Sequence, residues 1–300
     1  MANALFITGA TGFVGRHLLG RLDPARYPQV YCLGRRPTAV APGPFRIVEG
    51  DLADARRYAP ALASTDTVIH LAAATGKAPR EEYFRVNAGG TEVLLEAAER
   101  AGVRNFLYVS SIAVRYPDTS GYYYAQSKQL GEDAVGRSRL RFAIVRPTII
   151  LGRDAPAWTL LGRLSRAPIT FLPGDGKTRI QPIYVDDLVD CLVSVLDDDL
   201  FTRDTFEVGG PEPVAFEAFL RTAHRLYHGK EPRVVHLPLA PLIRLLAILE
   251  KPLYSHLPIT AGQLSAFRYD GTIRANSLFD RHAPRMKPVD DMLRLLVGHG

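Results

Sequence analysis

A tyrosine and a lysine four residues apart, Tyr124 and Lys128, are the side chains in this sequence best suited to proton transfer. If the segment is helical, both side chains lie on one helix face, because positions i and i+4 are neighbours there. A free phenol has a pKa of about 10 and is a poor base at neutral pH. A nearby ammonium group stabilises the phenolate and brings its pKa toward the working range. Tyr122 and Tyr123 come just before, but neither has a lysine four residues further on.

A glycine-rich turn follows the first apolar run, with Gly9, Gly12 and Gly15 in a GxxGxxG spacing. It follows a predicted strand and opens a predicted helix, which is the context in which such a turn binds a dinucleotide. Gly9 allows the tight turn, Gly12 lets the backbone approach a pyrophosphate, and Gly15 lets helix and strand pack closely. The start of the helix offers N–H groups and a positive dipole end to the phosphates. The residues predicted to form this turn are Gly9, Thr11, Gly12, Phe13, Val14 and Gly15.

These residues require a scaffold of alternating strands and helices, and the first half of the chain has that pattern. Its short, nearly continuous apolar runs are typical of strands buried on both faces of a parallel sheet. Strands are predicted at 4–8, 29–33, 45–48, 67–71, 105–110, 141–146, 179–185 and 205–208. Helices are predicted at 14–22, 80–101, 122–137, 158–165, 186–196 and 216–228. This alternation predicts an α/β fold with a doubly wound, Rossmann-like parallel sheet.

The pattern loosens after Pro147, where glycine and proline become frequent. We therefore expect a dinucleotide-binding domain over residues 1–150. Residues 151–300 are expected to form a smaller C-terminal substrate lobe, with some segments returning to the first domain.

The turn TGATGFVG at residues 8–15, together with the YxxxK motif at 124–128, resembles the short-chain dehydrogenase/reductase superfamily. The glycine spacing is similar to its extended and atypical branches, which include NAD-dependent epimerases and dehydratases and 3β-hydroxysteroid dehydrogenases. The resemblance covers about residues 1–210. It implies a catalytic group in which Ser111, with Ser110 as the alternate, holds the substrate oxygen. Tyr124 would then carry the proton, and Lys128 would adjust the pKa of Tyr124.

The same resemblance assigns further residues to the cofactor site. It implies an aspartate at the adenine, a segment after the fourth strand along the cofactor, a helical asparagine that orients cofactor or water, and a segment bordering the nicotinamide. These residues are Asp51, Leu52, His70, Leu71, Ala72, Ala73, Asn87, Lys128, Pro147 and Ile149. A lone histidine such as His70 is more often structural than functional. Glu132 continues the family pattern and is expected to make a structural contact.

The end of the second strand indicates which nicotinamide cofactor fits. An acidic residue about 20 positions past the glycines would hold the ribose 2′-OH of NAD, whereas arginine suits the 2′-phosphate of NADP. Gly34 stands where the acid would be, and Arg35 and Arg36 follow it. Guanidinium groups can bind a phosphate bidentately. The sequence therefore predicts NADP, with NAD as the alternative if both arginines only form a solvated turn.

Composition bounds the remaining function classes. A hydrophobic fraction of 47% is ordinary for a globular protein. The net charge is +6, but the basic residues are scattered without interleaved aromatic residues, so we expect no nucleic-acid partner. Two cysteines, Cys32 and Cys191, cannot form a disulfide framework, and no metal site is predicted.

The sequence also bears on location. The N-terminus lacks the basic region of a signal peptide, and no apolar run reaches the length of about 18 residues expected of a membrane span. We therefore expect a cytoplasmic protein. The alternative is peripheral membrane contact through the apolar segment Leu237–Leu249, and a homo-oligomer is left open.

Departures from the family pattern narrow the reaction. Ile112 and Ala113 stand where sugar-nucleotide dehydratases carry an acidic pair. Ile180 stands where epimerases of nucleotide sugars carry an arginine that grips the diphosphate, and Arg179 is one position off, on the opposite face of a strand. The leucine-rich segment 237–259 adds an apolar surface.

These features predict an NAD(P)-dependent oxidoreductase that interconverts a carbonyl and a secondary alcohol in an apolar small molecule. One alternative is a nucleotide-sugar epimerase with transient oxidation. The other is a non-catalytic dinucleotide-binding partner protein, similar to an accessory subunit of respiratory complex I. Such relatives can lack the catalytic tyrosine, which this chain keeps.

Overall fold

The chain forms a central parallel sheet with helices between its strands. The computed structural model describes residues 4–36, 44–254, 256–257 and 259–298. Its strands are β1 (Ala4–Thr8), β2 (Gln29–Gly34), β3 (Phe45–Glu49), β4 (Thr67–His70), β5 (Asn105–Val109), β6 (Arg141–Pro147), β7 (Ile150–Leu151), β8 (Ile169–Pro173), β9 (Arg179–Ile180), β10 (Ile183–Tyr184), β11 (Asp204–Val208), β12 (Val214–Ala215) and β13 (Arg233–Leu237).

The helices between and after these strands cover both halves of the chain. They are α1 (Phe13–Arg21), α2 (Ala55–Leu62), α3 (Arg80–Tyr83), α4 (Gly90–Ala101), α5 (Tyr123–Arg137), α6 (Pro156–Arg166), α7 (Val185–Asp197), α8 (Phe216–His228), α9 (Leu239–Leu253), α10 (Ala261–Ser265), α11 (Ser277–His282) and α12 (Val289–Val297). A π-helical segment, Phe84–Gly89, joins α3 to α4. The helix predicted over 80–101 is therefore present, but one turn in its middle is a wider π-helical turn.

The strand order of the main sheet is β11-β6-β5-β4-β1-β2-β3, and the pairings among β1 to β6 are parallel. The predicted doubly wound α/β fold is confirmed. The chain moves outward from β1 to β3 and then returns to β4 on the other side of β1. Ligands of such sheets bind at this reversal, outside the carboxyl ends of the strands. The glycine turn, Arg35, Asp51 and Ser111 all follow carboxyl ends of these strands.

Burial on both faces explains why the inner strands β1, β4 and β5 are largely apolar. Phe6 and Val68 of adjacent strands are fully buried, and they belong to one core that includes Leu94 of α4 and Val135 of α5. Tyr58 of α2 joins the same core and donates a hydrogen bond to the carbonyl of Leu52 at 2.8 Å. This packing fixes the helices that carry the candidate site.

The chain divides into two compact units, each built from three segments. The first comprises Met1–Ser111, Tyr124–Arg146 and Val189–Phe206. The second comprises Ile112–Tyr123, Pro147–Leu188 and Glu207–Gly300.

Within the second unit, α8 packs against α6 and α12, α9 packs against α10, and β8 pairs in parallel with β13. The strand predicted over 179–185 is present as two short strands, β9 and β10. Across the described residues, no helix combines the length and apolar character needed to cross a membrane.

Candidate functional site

The glycine turn after β1 is built at distances that only glycine permits. Gly9 has φ +74°, and a Cβ there would lie 2.6 Å from the amide nitrogen of Ala72. A Cβ on Gly15 would overlap the carbonyl oxygen of Gly9, so α1 can pack against the turn only without one. The amide of Gly12 donates to the carbonyl of Gly9 at 2.9 Å and closes the turn. The result is an open cradle of backbone at the start of α1, as a pyrophosphate requires.

A cavity of about 260 Å³ lies beside this turn, and all its lining residues belong to the first unit. Of the residues predicted to bind the cofactor, it is lined by Gly9, Thr11, Gly12, Arg35, Asp51, Leu52, Leu71, Ala72 and Ala73. Residues from the ends of β1, β2, β3 and β4 therefore converge on one cavity, as the topology requires. This cavity can hold the adenosine and phosphate part of a dinucleotide.

The other predicted cofactor residues lie outside the lining of this cavity. They are Phe13, Val14, Gly15, Arg36, His70, Asn87 and Lys128 in the first unit, and Pro147 and Ile149 in the second. Gly15 acts through packing, as described above. For His70, Asn87 and Lys128, the structure gives each a defined set of contacts.

His70 is buried beneath the cavity wall. Its Nδ1 lies 2.6 Å from the hydroxyl of Thr8, and its Nε2 lies 2.9 Å from the hydroxyl of Thr91. The ring stacks on Tyr108 with centroids 5.5 Å apart. Burial, and then the charge of Lys128, lower the pKa of His70 to about 3, so the imidazole is neutral at working pH. His70 therefore ties β4 to β1 and α4, and the next three residues line the cavity.

Asn87 lies in the π-helical segment and joins two parts of the site. Its Oδ1 accepts from the amide of Ala74 at 2.7 Å, and its Nδ2 donates to the carbonyl of Ala74 at 3.0 Å. The same Nδ2 donates to the hydroxyl of Ser127 on α5 at 3.0 Å. π-helical turns often occur at functional sites. This one aims a buried amide at the loop that follows β4 and fixes that loop relative to α5.

The hydroxyl groups of Tyr124 and Ser111 are joined by a hydrogen bond at the end of β5. The ring of Tyr83 contacts that of Tyr124 edge-on, with centroids 6.1 Å apart. Burial raises the pKa of Tyr124, and the Ser111 hydroxyl partly offsets this. The lowering of this pKa expected from a nearby ammonium is therefore absent in the protein alone. Ser110 is buried, and its hydroxyl has no hydrogen-bond partner among the described residues, so Ser111 is the serine that meets the tyrosine.

Lys128 is one turn further along α5 and is almost fully buried. Its ammonium group donates to the carbonyl of Val109 at 2.7 Å and lies 4.1 Å from the ring centroid of Tyr108. Burial lowers the pKa of Lys128 to about 7, and the carboxylate of Glu132 partly opposes this. Glu132 itself is held by Arg146 through hydrogen bonds of 2.8 and 2.5 Å, which is the structural contact expected of it.

Two side chains on the helix before Asn87 were missed by sequence reasoning. Arg85 and Glu82 both line the cavity, and they pair with each other at 2.9 Å. Arg85 also lies 3.8 Å from the carboxylate of Asp51. Their i,i+3 spacing was the available signal, but it is equally typical of an exposed helix pair.

Tyr83 was also missed. Its hydroxyl donates a hydrogen bond to the carbonyl of Gly76 and accepts one from the amide of Ala78 at 3.1 Å. It thereby fixes the loop after β4 on the side where its ring meets Tyr124. No sequence motif marks this residue.

Comparison with known proteins identifies the family. A model of the NAD dependent epimerase/dehydratase family matches residues 5–209. This match covers more than half of the chain, so the chain belongs to that family. That family comprises NAD-dependent epimerases and dehydratases.

Individual relatives match a little over three fifths of the chain. The chain is 36% identical over 196 residues to a ceramide reductase of Caulobacter vibrioides, covering 63% of this chain and 59% of the relative. It is 30% identical over 215 residues to a 3 beta-hydroxysteroid dehydrogenase/Delta 5-->4-isomerase of Mycobacterium tuberculosis, covering 62% and 58%. The matches thus span less than three fifths of these relatives.

One solved structure extends the likeness over the whole chain. It is a short-chain dehydrogenase/reductase superfamily protein from Agrobacterium tumefaciens, determined with bound NAD. The TM-score is 0.71 at 22% identity, covering 99% of this chain and 96% of the other. At this identity the likeness establishes the fold.

Proposed function

We propose that this chain is an NADP-dependent oxidoreductase that interconverts a carbonyl group and a secondary alcohol in an apolar substrate. The observation that carries the proposal is the hydrogen-bonded pair of Tyr124 and Ser111, with Lys128 buried one turn away on the same helix. The pair belongs to the same compact unit as the nucleotide cavity.

A nicotinamide cofactor, when bound, supplies or accepts the hydride. The protein's own residues then handle the substrate oxygen and its proton. In the direction of reduction, the Tyr124 hydroxyl gives its proton to the carbonyl oxygen while Ser111 donates a hydrogen bond to that oxygen. Because burial raises its pKa, Tyr124 holds its proton at neutral pH in the free protein. This protonation state suits reduction, whereas oxidation needs additional positive charge near the phenol.

Lys128 acts on this pair by position and charge. Its ammonium is anchored on the Val109 carbonyl at the end of β5, close in sequence to Ser111. With a pKa of about 7, it changes charge near neutral pH. When the ribose of a cofactor provides further hydrogen-bond acceptors, the charged form is favoured and supports the phenolate that forms during turnover.

The choice of NADP rests on the charge around the nucleotide cavity. Arg35 lines the cavity directly after β2, where Gly34 leaves no carboxylate. Arg85 also lines the cavity, but its charge is balanced by Glu82 at 2.9 Å and by Asp51 at 3.8 Å. The support for NADP is therefore the guanidinium of Arg35, which can bind a 2′-phosphate at this edge of the cavity.

The substrate class rests on the second unit and on the relatives. Ile180 is buried while Arg179 is exposed, so the diphosphate-gripping position of epimerases of nucleotide sugars is apolar here. Burying a diphosphate without positioned donors is costly. The ceramide reductase and the steroid dehydrogenase, by their names, act on molecules with large apolar parts.

The test is a screen that follows NADPH absorbance with ceramide-like, steroid and long-chain ketones, beside UDP, GDP and dTDP sugars. We expect at least one apolar ketone to be reduced. Tyr124→Phe should lower turnover about 10²–10⁴-fold with nearly unchanged cofactor affinity, because only the proton donor is lost.

Tyr123→Phe is the matched control, since Tyr123 is the adjacent, exposed tyrosine of the same helix. It should keep full activity. Conversion of a nucleotide sugar without net NADPH consumption would refute the proposal in favour of an epimerase. Retained activity of Tyr124→Phe would show that another group carries the proton.

A further inference from the structure

Helix α9 presents an apolar stripe to solvent. Leu245 is 51% exposed and Ile248 is 68% exposed, and Pro241 and Pro252 continue the same stripe at helical spacing. Of the side chains that the structure describes on this stripe, Arg244 carries the only charge. The helix also contains Glu250, but its carboxylate turns away and accepts a hydrogen bond from the start of α10.

The two-stranded sheet that leads into α9 is apolar on its outer face as well. Phe171 of β8 is 53% exposed, and it pairs in register with exposed Val235 of β13. Ile169, two residues before Phe171, is exposed on the same face. Because α9 begins two residues after β13 ends, the exposed apolar residues follow one another along the chain.

A basic cavity of about 510 Å³ opens where these two strands begin. Its lining includes Arg166, Lys230, Arg233 and Ile169, which also belongs to the apolar face. The one carboxylate in the lining, Glu231, lies 3.3 Å from guanidinium groups of neighbouring arginines on α8. Among the described residues of the lining, the charge that remains is positive.

His224 and His228 form another wall of this cavity, with ring centroids 4.5 Å apart. His224 lies 2.8 Å from the carbonyl of Ser165, and His228 lies 3.1 Å from the carbonyl of Arg166. These contacts fix the wall beside the basic groups. The cavity is therefore built to take a negatively charged group next to an apolar surface.

We propose that the surface formed by α9, the β8–β13 face and this basic cavity docks onto a membrane containing anionic phospholipids. The apolar stripe would enter the boundary between headgroups and acyl chains, and the cavity would take a headgroup phosphate. A helix of 15 residues is about 22 Å long, which suits lying along the interface. Basic groups near an anionic surface add about 1 kcal/mol each, so the charge and the apolar stripe act together.

Charge complementarity selects the bilayer over other occupants. A second copy of the chain would cover the apolar stripe but would bring its own basic residues and no surplus carboxylate in the cavity lining. A free phosphate ion would suit the cavity but would leave the stripe in water. A bilayer with anionic lipids satisfies both, and the net charge of +6 favours the approach.

The test is co-sedimentation of the full chain with two kinds of vesicle. One is pure phosphatidylcholine, and the other contains equal parts of phosphatidylcholine and phosphatidylglycerol. We expect binding to the anionic vesicles and weaker binding to the neutral ones. Ile248→Glu should lower the affinity for anionic vesicles at least about tenfold, and Lys230→Glu combined with Arg233→Glu should do the same.

Matched controls separate this surface from general effects. Leu295→Glu places the same change on an exposed leucine of α12, and Arg56→Glu with Arg57→Glu reverses two exposed charges on α2 in the other unit. The leucine control should bind like the wild type, and the charge control should lose less affinity than the cavity variant.

Equal losses in the cavity variant and the α2 variant would overturn the proposal, because binding would then follow net charge alone. So would absence of binding to the anionic vesicles. Light scattering would also overturn it if Ile248→Glu split a dimer while vesicle binding stayed unchanged. These measurements do not depend on turnover, so failure of the membrane proposal can be distinguished from failure of the proposed reaction.

Discussion

Replacing the buried lysine of the site should make the protein more stable while removing its activity. Lys128 is 2% exposed, and burial lowers its pKa from 10.5 to about 7. One pKa unit corresponds to about 1.4 kcal/mol, so this pKa difference represents about 5 kcal/mol. At pH 7 folding must therefore work against the preference of this amine to stay protonated in water. Lys128→Met keeps a side chain of similar length and removes that cost.

Part of the gain is lost through a hydrogen bond. The Val109 carbonyl accepts from Lys128 at 2.7 Å and would lose this donor, at a cost of about 1–3 kcal/mol. The expected net effect of Lys128→Met is a stabilisation of roughly 2–4 kcal/mol at pH 7. Turnover should fall at the same time, because the amine that becomes charged beside a bound cofactor ribose, and then supports the phenolate, is gone.

The stability difference between Lys128→Met and wild type should depend on pH, whereas a difference caused by packing alone would not. Between pH 7 and 10.5 the unfolded wild-type chain holds a proton on this lysine that the folded chain has released. The free energy of unfolding of the wild type therefore rises by about 1.4 kcal/mol per pH unit across that window, because of this group. This contribution of Lys128 is fully present above pH 10.5, and it is lost as the pH falls to 7. The advantage of Lys128→Met should accordingly shrink as the pH rises and vanish between about pH 8.5 and 10.

The assay is urea unfolding of wild type and variant at pH 7, 8 and 9, with cofactor turnover measured in parallel. Lys177→Met, on an exposed lysine, is the control and should change the free energy of unfolding by less than about 0.5 kcal/mol. Lower stability of Lys128→Met than of wild type at pH 7 would contradict a cost of burying this amine. A stability difference that is independent of pH would contradict it equally.

Three further changes test the site. Arg35→Asp should weaken NADPH binding about tenfold to a hundredfold in calorimetry while NADH affinity stays equal or improves, because a carboxylate repels the 2′-phosphate. Gly131→Ala should destabilise by about 1–3 kcal/mol in urea, because its Cβ would overlap the hydroxyl of Tyr108. Gly136→Ala, whose Cβ would meet nothing within 4 Å, should not destabilise. Asn87→Ala should raise KM for the cofactor more than it lowers kcat, because the loop after β4 loses two hydrogen bonds.

Each of these has an outcome that would contradict it. Unchanged discrimination between NADPH and NADH in Arg35→Asp would mean that this arginine does not meet the 2′-phosphate. Equal stability of the two glycine variants would mean that α5 and β5 are not in close contact. A pure loss of kcat in Asn87→Ala would assign the asparagine to the chemical step.

Local patterns were enough to predict the central sheet. Strands such as Ala4–Thr8 and Thr67–His70 were predicted to within a residue, because burial on both faces requires continuous apolar runs. Helix α2 was missed, since Pro60 interrupts its pattern. Burial of Tyr58 and Leu62 in the core stabilises it nevertheless. The sequence also placed Tyr124 and Lys128 on one helix, because their spacing depends only on helical geometry.

Contacts between distant segments decided the details of the site. The sequence placed His70 along the cofactor, but the fold buries its ring between Thr8 and Thr91. Arg85 lies in the nucleotide cavity because the π-helical segment and the loop after β3 meet there, which no local spacing reveals. The pKa of Tyr124 was also decided by the tertiary structure, since it depends on burial rather than on the lysine four residues away.

The sequence by itself determined the sheet, the glycine turn and the tyrosine–lysine pair, because each follows from residues close together in the chain. Only the tertiary structure decided what the leucine-rich segment does. Its composition fits a core helix or a surface helix equally, and in the structure α9 leaves Leu245 and Ile248 exposed. Apolar content fixes how much surface a segment can bury. Which surface it meets depends on segments far away in sequence, and these come together only in the folded chain.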